Sequence, residues 1–369
     1  MVIMKTYRNL WNDFISDKNI EISIKDFAKG KKRKRKDVRM FLTKYNNNPK
    51  GAINYIRNYV IDYVNDTHTP VVIYDGISRK RRTIIVPSCR ELIVQHMVVN
   101  VLKPMFLRGI YERSYGSIPG RGAHDGKKAI EKWIRYDGKN CKYCLKLDVK
   151  KYFDSIPHDI LKSKLEKELK DERLLTVLFT IIDSTEKGLP LGFYTSQWLS
   201  MWYLKDFDHY IKEHCYAPHY MRYMDDMVIF GSNKRKLWQT LDNINKELVK
   251  LGLKLNSRSV LFRFVYERQG REFGRDLDFM GFRFFRNRTI LRRSIYYKMC
   301  RKARRIYKKE KPSIYELRQM MSYLGYLNGT DVYNAYLTYI KPFFDFGKAK
   351  KRISKYDKRM NKEVLLCGN

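Results

Sequence analysis

The stretch HYMRYMDDMVIFGS, His219 to Ser232, sets two aspartates side by side between two short apolar runs. Along a regular strand, successive side chains point to opposite faces, so adjacent carboxylates diverge. A two-residue connection between apolar runs is a hairpin signal. A tight turn at Asp225–Asp226 removes the alternation and lets both carboxylates aim at one place. Aspartate is also an ordinary turn residue, and an isolated Asp-Asp pair is more often structural than chemical.

Upstream, YCLKLDVKKYFDSIP supplies a third carboxylate. Tyr143, Leu145, Leu147 and Val149 alternate onto one face of a predicted strand, so Asp148 faces the other way. Three carboxylates brought together repel one another unless a cation sits between them. Hard oxygen ligands suit Mg²⁺, which binds through a few carboxylates plus substrate phosphates. Two such ions about 3.5–4 Å apart stabilise the attacking and leaving oxygens of an in-line phosphoryl displacement.

Composition agrees with a phosphate-rich partner. Lys and Arg total 76 against 39 Asp and Glu, a net charge of +37 over 369 residues. That excess attracts polyanions and exceeds what solubility alone asks for. Nucleic acid is the favoured partner over an anionic membrane, because no apolar run is long enough to span one. The start, MVIMKTYRNLWNDF, is too polar for a span or a signal-peptide core. The 44% hydrophobic content excludes a largely disordered chain. Tyrosine, at 28 residues, suits a core that opens onto wet grooves. Of six cysteines only Cys141 and Cys144 form a CxxC pair, so reduced thiols in a cytoplasm are expected rather than structural zinc.

Periodicity predicts helices over 49–66 and 90–107, with two strands between Thr69 and Ser88 joined by a loop bearing Arg79, Lys80, Arg81 and Arg82. KGKKRKRKDVR, Lys29–Arg39, reads as a solvated basic run or a phosphate contact. SYGSIPGRGAHDG is a glycine-rich loop before a helix through Trp133. Pro157 opens a helix striped by Leu161, Leu165 and Leu169. One further helix carries Leu199, Trp202, Tyr203, Tyr210 and Ile211. An amphipathic helix runs from Asn233 to Leu251, stopped by Gly252. FRFVYERQGREFGRDLDFMGFRFFRN reads as a hairpin, and 295–345 as three basic helices. The order predicts an α+β fold, an antiparallel sheet with helices on one face.

Taken together these segments resemble reverse transcriptases. LKLDVKKYFDSI resembles the first carboxylate motif, RYMDD the catalytic hairpin, LGLKLN the motif after it and FMGFRF the primer-grip hairpin. RRTIIVPSCRELIVQ resembles the fingers motif and SYGSIPGRG the one that follows, all in the expected order between about 70 and 290. The resemblance implies a right-hand polymerase fold. A basic N-terminal extension would cover 1–48, fingers 49–141 and an antiparallel-sheet palm 142–287, with a fingers insertion at about 158–188. A helical thumb with a basic tail would take 288–369, too short to add an RNase H or endonuclease domain. By the same resemblance Asp148, Asp225 and Asp226, with the Val149 carbonyl, would hold two Mg²⁺ ions, for which Mn²⁺ could substitute. Phe153 would be the steric gate against a ribose 2′-OH. Arg82, with Lys80 and Arg90, would meet the incoming dNTP; Lys254 or Arg258 would protonate pyrophosphate; Phe279, Met280 and Gly281 would form the primer grip.

GLPLGFYTSQ narrows the resemblance. Many reverse transcriptases have Gln-Gly where this chain has Leu191-Gly192, followed by Ser196-Gln197. The pattern resembles the enzymes of diversity-generating retroelements, bacterial or phage-encoded, although Phe193 stands where that group often has Asn. Those enzymes copy a template-repeat RNA with errors at adenines and work with a small, basic, oligomeric accessory protein. An aliphatic side chain in place of an amide removes a hydrogen-bonding check on the incoming base. The alternatives are a phage-defence or retron-like enzyme using its own non-coding RNA, and a non-catalytic RNA-binding module. No Val-Thr-Gly thumb motif favours the retron reading, and the missing glutamine and short C-terminal region disfavour a group II intron enzyme.

Overall fold

The computed structural model describes residues 6–28, 35–74, 81–215 and 217–366, with side chains as far as Arg359. The described chain divides into two compact units. One holds the chain up to residue 126 and again 143–261; the other holds 127–142 and everything from 262 onward.

The first unit opens with helices α1 (Trp11–Phe14), α2 (Asp17–Phe27) and α3 (Lys36–Asn47). Ser16 caps α2 by accepting from the Asn19 N–H, and Ile20, Ile24 and Phe27 fall on its buried face with Phe14 nearby. Burial of each such side chain contributes roughly 1.5–3 kcal/mol. The segment expected as a basic extension is therefore helical from Trp11 and part of the core; the basic run at 29–34 lies outside the described residues. Asn48 caps α4 (Pro49–Ile61) through the Gly51 N–H, with Pro49 opening the helix. The hairpin β1 (Pro70–Tyr74) and β2 (Arg81–Ile85) follows, with Ile73 opposite Arg82. Its connecting loop, including Arg79 and Lys80, lies outside the described residues. A Ser88–Glu91 capping box starts α5 (Cys89–Leu107). Next come β3 (Ser114–Tyr115), α6 (Ala123–Tyr136), which passes between units, and β4 (Tyr143–Asp148).

The chain then forms α7 (Tyr152–Ser155), α8 (His158–Glu168) and α9 (Glu172–Ile182). The one helix expected next is two, α10 (Tyr194–Tyr203) and α11 (Lys205–His214). The break at Leu204 turns Asp208 into the interior, where it is fully buried. β5 (His219–Tyr223), β6 (Asp226–Gly231) and α12 (Lys234–Lys250) complete the region around the opening motif. Asn233 caps α12 by accepting from two backbone N–H groups, and Gly252 follows it at φ +66. With β7 (Val260–Arg263) the strands order as β3-β5-β6-β4-β7. The sheet is not wholly antiparallel as expected, because β3 pairs parallel to β5.

In the second unit the single hairpin expected after β7 is two structures. One is the ribbon β8 (Tyr266–Arg268) and β9 (Arg271–Phe273); the other is a three-stranded sheet of β10 (Leu277–Phe279), β11 (Phe282–Phe284) and β12 (Thr289–Leu291). Helices α13 (Arg293–Tyr307), α14 (Ile314–Leu327) and α15 (Tyr333–Tyr339) match the expected basic helices, and α16 (Phe346–Leu366) adds a fourth. Residues 127–141, expected with the fingers, belong to this unit instead. The Arg286 guanidinium explains the grouping: it donates to the carbonyls of Cys141, at 2.9 Å, and of Gly138 and Val265.

Candidate active site

β4 and β6 pair in a register that sets Asp148 opposite Asp226, and β5 sets Tyr223 opposite Asp226 on the other side. The connection is therefore Met224–Asp225, one residue earlier than the Asp225–Asp226 turn expected from sequence. Asp226 is already the first residue of β6. The turn needs a positive φ at its first connecting residue, the type II′ pattern that usually takes Gly. Met224 supplies it at φ +57, at a cost of roughly 1–2 kcal/mol for a residue with a side chain.

Two contacts hold Met224 in that conformation. Its N–H donates to the Tyr115 carbonyl at 3.0 Å, and its carbonyl accepts from Arg222 Nη1 at 2.8 Å. Arg222 is fully buried and bonds both oxygens of the equally buried Asp208, at 2.7 and 2.6 Å. The Tyr220 hydroxyl donates to Asp208 at 2.6 Å and the Ser114 hydroxyl at 2.7 Å. Burial alone would depress the Arg222 pKa, but the charge and hydrogen bonds of Asp208 raise it, so Arg222 stays charged. A buried, fully bonded ion pair thus clamps the hairpin that presents Asp225.

Burial pushes the Asp225 carboxyl above its usual range, and the charge of Asp148 adds to the rise; Arg82 and Arg222 draw it back. Asp148 and Asp225 therefore lie within each other's field, with Arg82 close enough to matter. The Asp148 carboxylate accepts from the Asn256 amide at 2.9 Å. Its backbone carbonyl accepts from Asn256 N–H at 2.7 Å, and Lys150 N–H donates to Lys254 at 2.8 Å. The LGLKLN segment thus runs alongside residues 148–150, and Val149 bridges to Leu255. Asn256 was not singled out from sequence, although it ends a motif that was. Arg222 and Asp208 were missed too; the available signal was a charged residue inside an otherwise apolar strand.

Among the described residues, no group of three Asp, Glu, His or Cys side chains is arranged to hold a metal ion. The hydrogen bond from the Asn256 amide orients the Asp148 carboxylate. The donor set nevertheless fits a hard divalent cation. Asp148 and Asp226 share a register position, and Asp225 is buried within the field of Asp148, a charge that such an ion would neutralise.

The segments expected to meet the nucleotide gather in the same unit. Ile85 N–H on β2 donates to the Leu191 carbonyl at 2.7 Å. Gly192, at φ +114, comes so close that a Cβ would lie 2.2 Å from the Ile85 carbonyl, so only glycine fits. Leu191 is thereby docked on the strand that carries Arg82. Phe153 is half-buried on α7, its carbonyl accepting from Leu189 N–H at 2.7 Å. Ser196 is buried and Gln197 exposed. Phe193 packs edge-on against His68 at 5.3 Å and is buried.

The remaining expected residues have other surroundings in the described chain. Arg90 pairs with Asp66 and lies over the Tyr59 ring at 4.4 Å. Lys80 lies outside the described residues. Lys254 and Arg258 are exposed. Met280 and Gly281, at φ +52 and +88, form the two-residue turn between β10 and β11, with Phe279 buried beside it in the second unit.

A family model described as reverse transcriptase (RNA-dependent DNA polymerase) matches residues 74–274. Protein YkfC of Escherichia coli is 26% identical over 145 residues, 36% of this chain and 38% of that protein. An uncharacterized 91 kDa protein in the cob intron of Schizosaccharomyces pombe is 28% identical over 151 residues, 38% of this chain and 18% of that protein. The putative COX1/OXI3 intron 2 protein of Saccharomyces cerevisiae is 25% identical over 207 residues, 48% of this chain and 24% of that protein. The matches thus span less than two-fifths of each of these relatives. Among solved structures, telomerase from Candida albicans in complex with a TWJ fragment of telomeric RNA aligns with TM-score 0.46 and 14% identity, over 78% of this chain and 59% of that one.

Proposed function

This chain belongs to the reverse transcriptase (RNA-dependent DNA polymerase) family, and from that premise we propose that it copies an RNA template into DNA from dNTPs. The fold is that family's right-hand polymerase, and the five-stranded sheet bearing Asp148 and Asp226 serves as its palm. The observation that carries the reading is the register of Asp148 against Asp226, beside a turn that presents Asp225.

Asp148, Asp225 and Asp226, with the Val149 carbonyl, would hold the two Mg²⁺ ions, or Mn²⁺ in their place. The bound cations would lower the charge barrier to in-line attack of a primer hydroxyl on the α-phosphate. The protein's own part is positional. The Asp208–Arg222 clamp fixes Asp225, Asn256 orients Asp148, and Arg82 offers its fork to the triphosphate. Phe153 closes the sugar pocket against a 2′-OH. Lys254 or Arg258 supplies a proton to pyrophosphate, and Phe279–Gly281 steadies the primer.

Within the family, the reading is a diversity-generating retroelement enzyme acting in the cytoplasm of a bacterial or phage-infected cell. It would copy a template-repeat RNA with low fidelity at adenines, beside a small basic oligomeric accessory protein. Leu191, docked on β2 where an amide would check the base pair, supports this. The test of polymerase activity is primer extension on an RNA template with Mg²⁺ and candidate accessory factors. Native protein should extend the primer and Asp225→Ala should not; no extension by either would sink the reading.

A further inference from the structure

The second unit carries a groove of about 980 Å³ that shares no residue with the acidic cluster. One wall is the outer face of α6; the other is the turn from Phe285 to Thr289 with residues 329–331. Lys128, Lys132 and Arg135 stand at i, i+4 and i+7, so they line one face of α6 over about 10 Å. All three are exposed, and among the described residues none pairs with a carboxylate. Tyr136, at the end of the row, is 75% exposed.

The neighbouring charges have occupations that these three lack. Arg286 serves backbone carbonyls, as described above. Arg288 is bidentate with Glu272, at 2.8 and 2.7 Å, and lies over the Phe285 ring at 4.4 Å. The anionic members are also engaged: Glu131 pairs with Lys127 at 2.7 Å, and Asp331 accepts from Thr289 N–H at 2.7 Å. A row of cations on a convex helix is ordinarily solvated, but this groove carries five cationic side chains against two carboxylates, and a concave site with such an excess focuses its field. The volume is at the upper end for small-molecule sites, room enough for a run of nucleotides. An exposed aromatic ring beside a row of phosphate-binding cations suits unstacked bases better than an acidic peptide.

We propose that this groove holds a single-stranded RNA segment, with phosphates on Lys128, Lys132 and Arg135 and a base stacked on Tyr136. The site is additional to the template–primer contacts of polymerisation. The test is binding of an unstructured oligoribonucleotide to the full chain over a range of salt. Replacing Lys128, Lys132 and Arg135 together by Ala should flatten the slope of log K against log salt by about 2, since each single-strand phosphate contact contributes about 0.7. Tyr136→Ala should weaken binding roughly fivefold or more with the slope unchanged. As a control, Lys234, Arg235 and Lys236 on α12, also exposed, are replaced by Ala.

Three results would overturn the proposal. One is an unchanged slope and affinity in both groove variants. Another is an equal change in the α12 control, which would mean bulk charge rather than a site. The third is retained RNA affinity with loss of binding to a polyglutamate peptide. Circular dichroism guards against misfolding, and because the readout is binding, the result stands whether or not the chain polymerises.

Discussion

Leu191 shows how far a single side chain can be read. Its identity set the expectation of low fidelity, and its docking against β2, the strand of Arg82, came only with the structure. Leu191→Gln should lower misincorporation opposite template adenine, scored by sequencing the cDNA; superimposable error spectra would remove Leu191 from fidelity control. Phe153 makes a parallel case. Phe153→Val should raise incorporation of ribonucleotides relative to deoxyribonucleotides by about tenfold or more, measured by single-nucleotide extension. An unchanged ratio would reduce Phe153 to a packing residue. The three aspartates were legible because carboxylates are conspicuous in a basic chain. Asn256 was not, since an Asn in a polar turn carries no charge signal, and neither was the Arg90–Asp66 pair, whose partners lie 24 positions apart in the chain.

Elements were legible where local chemistry governs them, as with α12 between its Asn233 cap and Gly252. They were not where tertiary packing wins. Nothing local forecasts the break at Leu204 or the left-handed Met224; the first turns Asp208 inward, and the second is held by Arg222 and the Tyr115 carbonyl. Helix α2 was hidden by the basic run after it, although Ile20, Ile24 and Phe27 carry a helical period. Breaking a buried pair leaves an uncompensated charge, so Arg222→Met should cost about 3–5 kcal/mol, read by denaturant unfolding. The double variant Arg222→Met/Asp208→Leu should recover part of that loss, and a double variant worse than the single would contradict the account. On α14, hydrogen bonds from Lys309, at 2.6 Å, and Ser313 hold the Glu316 carboxyl down to about 2 from an ordinary 4.5. A depressed folded value means that its stabilisation is complete above pH 4.5 and lost as pH falls towards 2. Carboxyl NMR should give a Glu316 midpoint near 2, and Glu316→Gln should remove that part of the acid sensitivity; a midpoint near 4.5 would refute the capping assignment.

For the whole molecule, the resemblance of the motifs in their order reached the family, and the net charge of +37 agreed with a nucleic-acid partner. The unit boundaries were not legible, because Arg286 ties residues 138 and 141 to a sheet far along the chain. Among the described residues no helix is long and apolar enough to cross a membrane. The functional account turns on divalent cations drawing Asp148, Asp225 and Asp226 together. Mn²⁺ binding, followed by electron paramagnetic resonance on the chain with a dideoxy-terminated primer on RNA and the next dNTP, measures that directly. The expected result is two bound ions per native chain and fewer in Asp148→Asn and in Asp225→Asn. Equal Mn²⁺ binding by native and variant chains would contradict it.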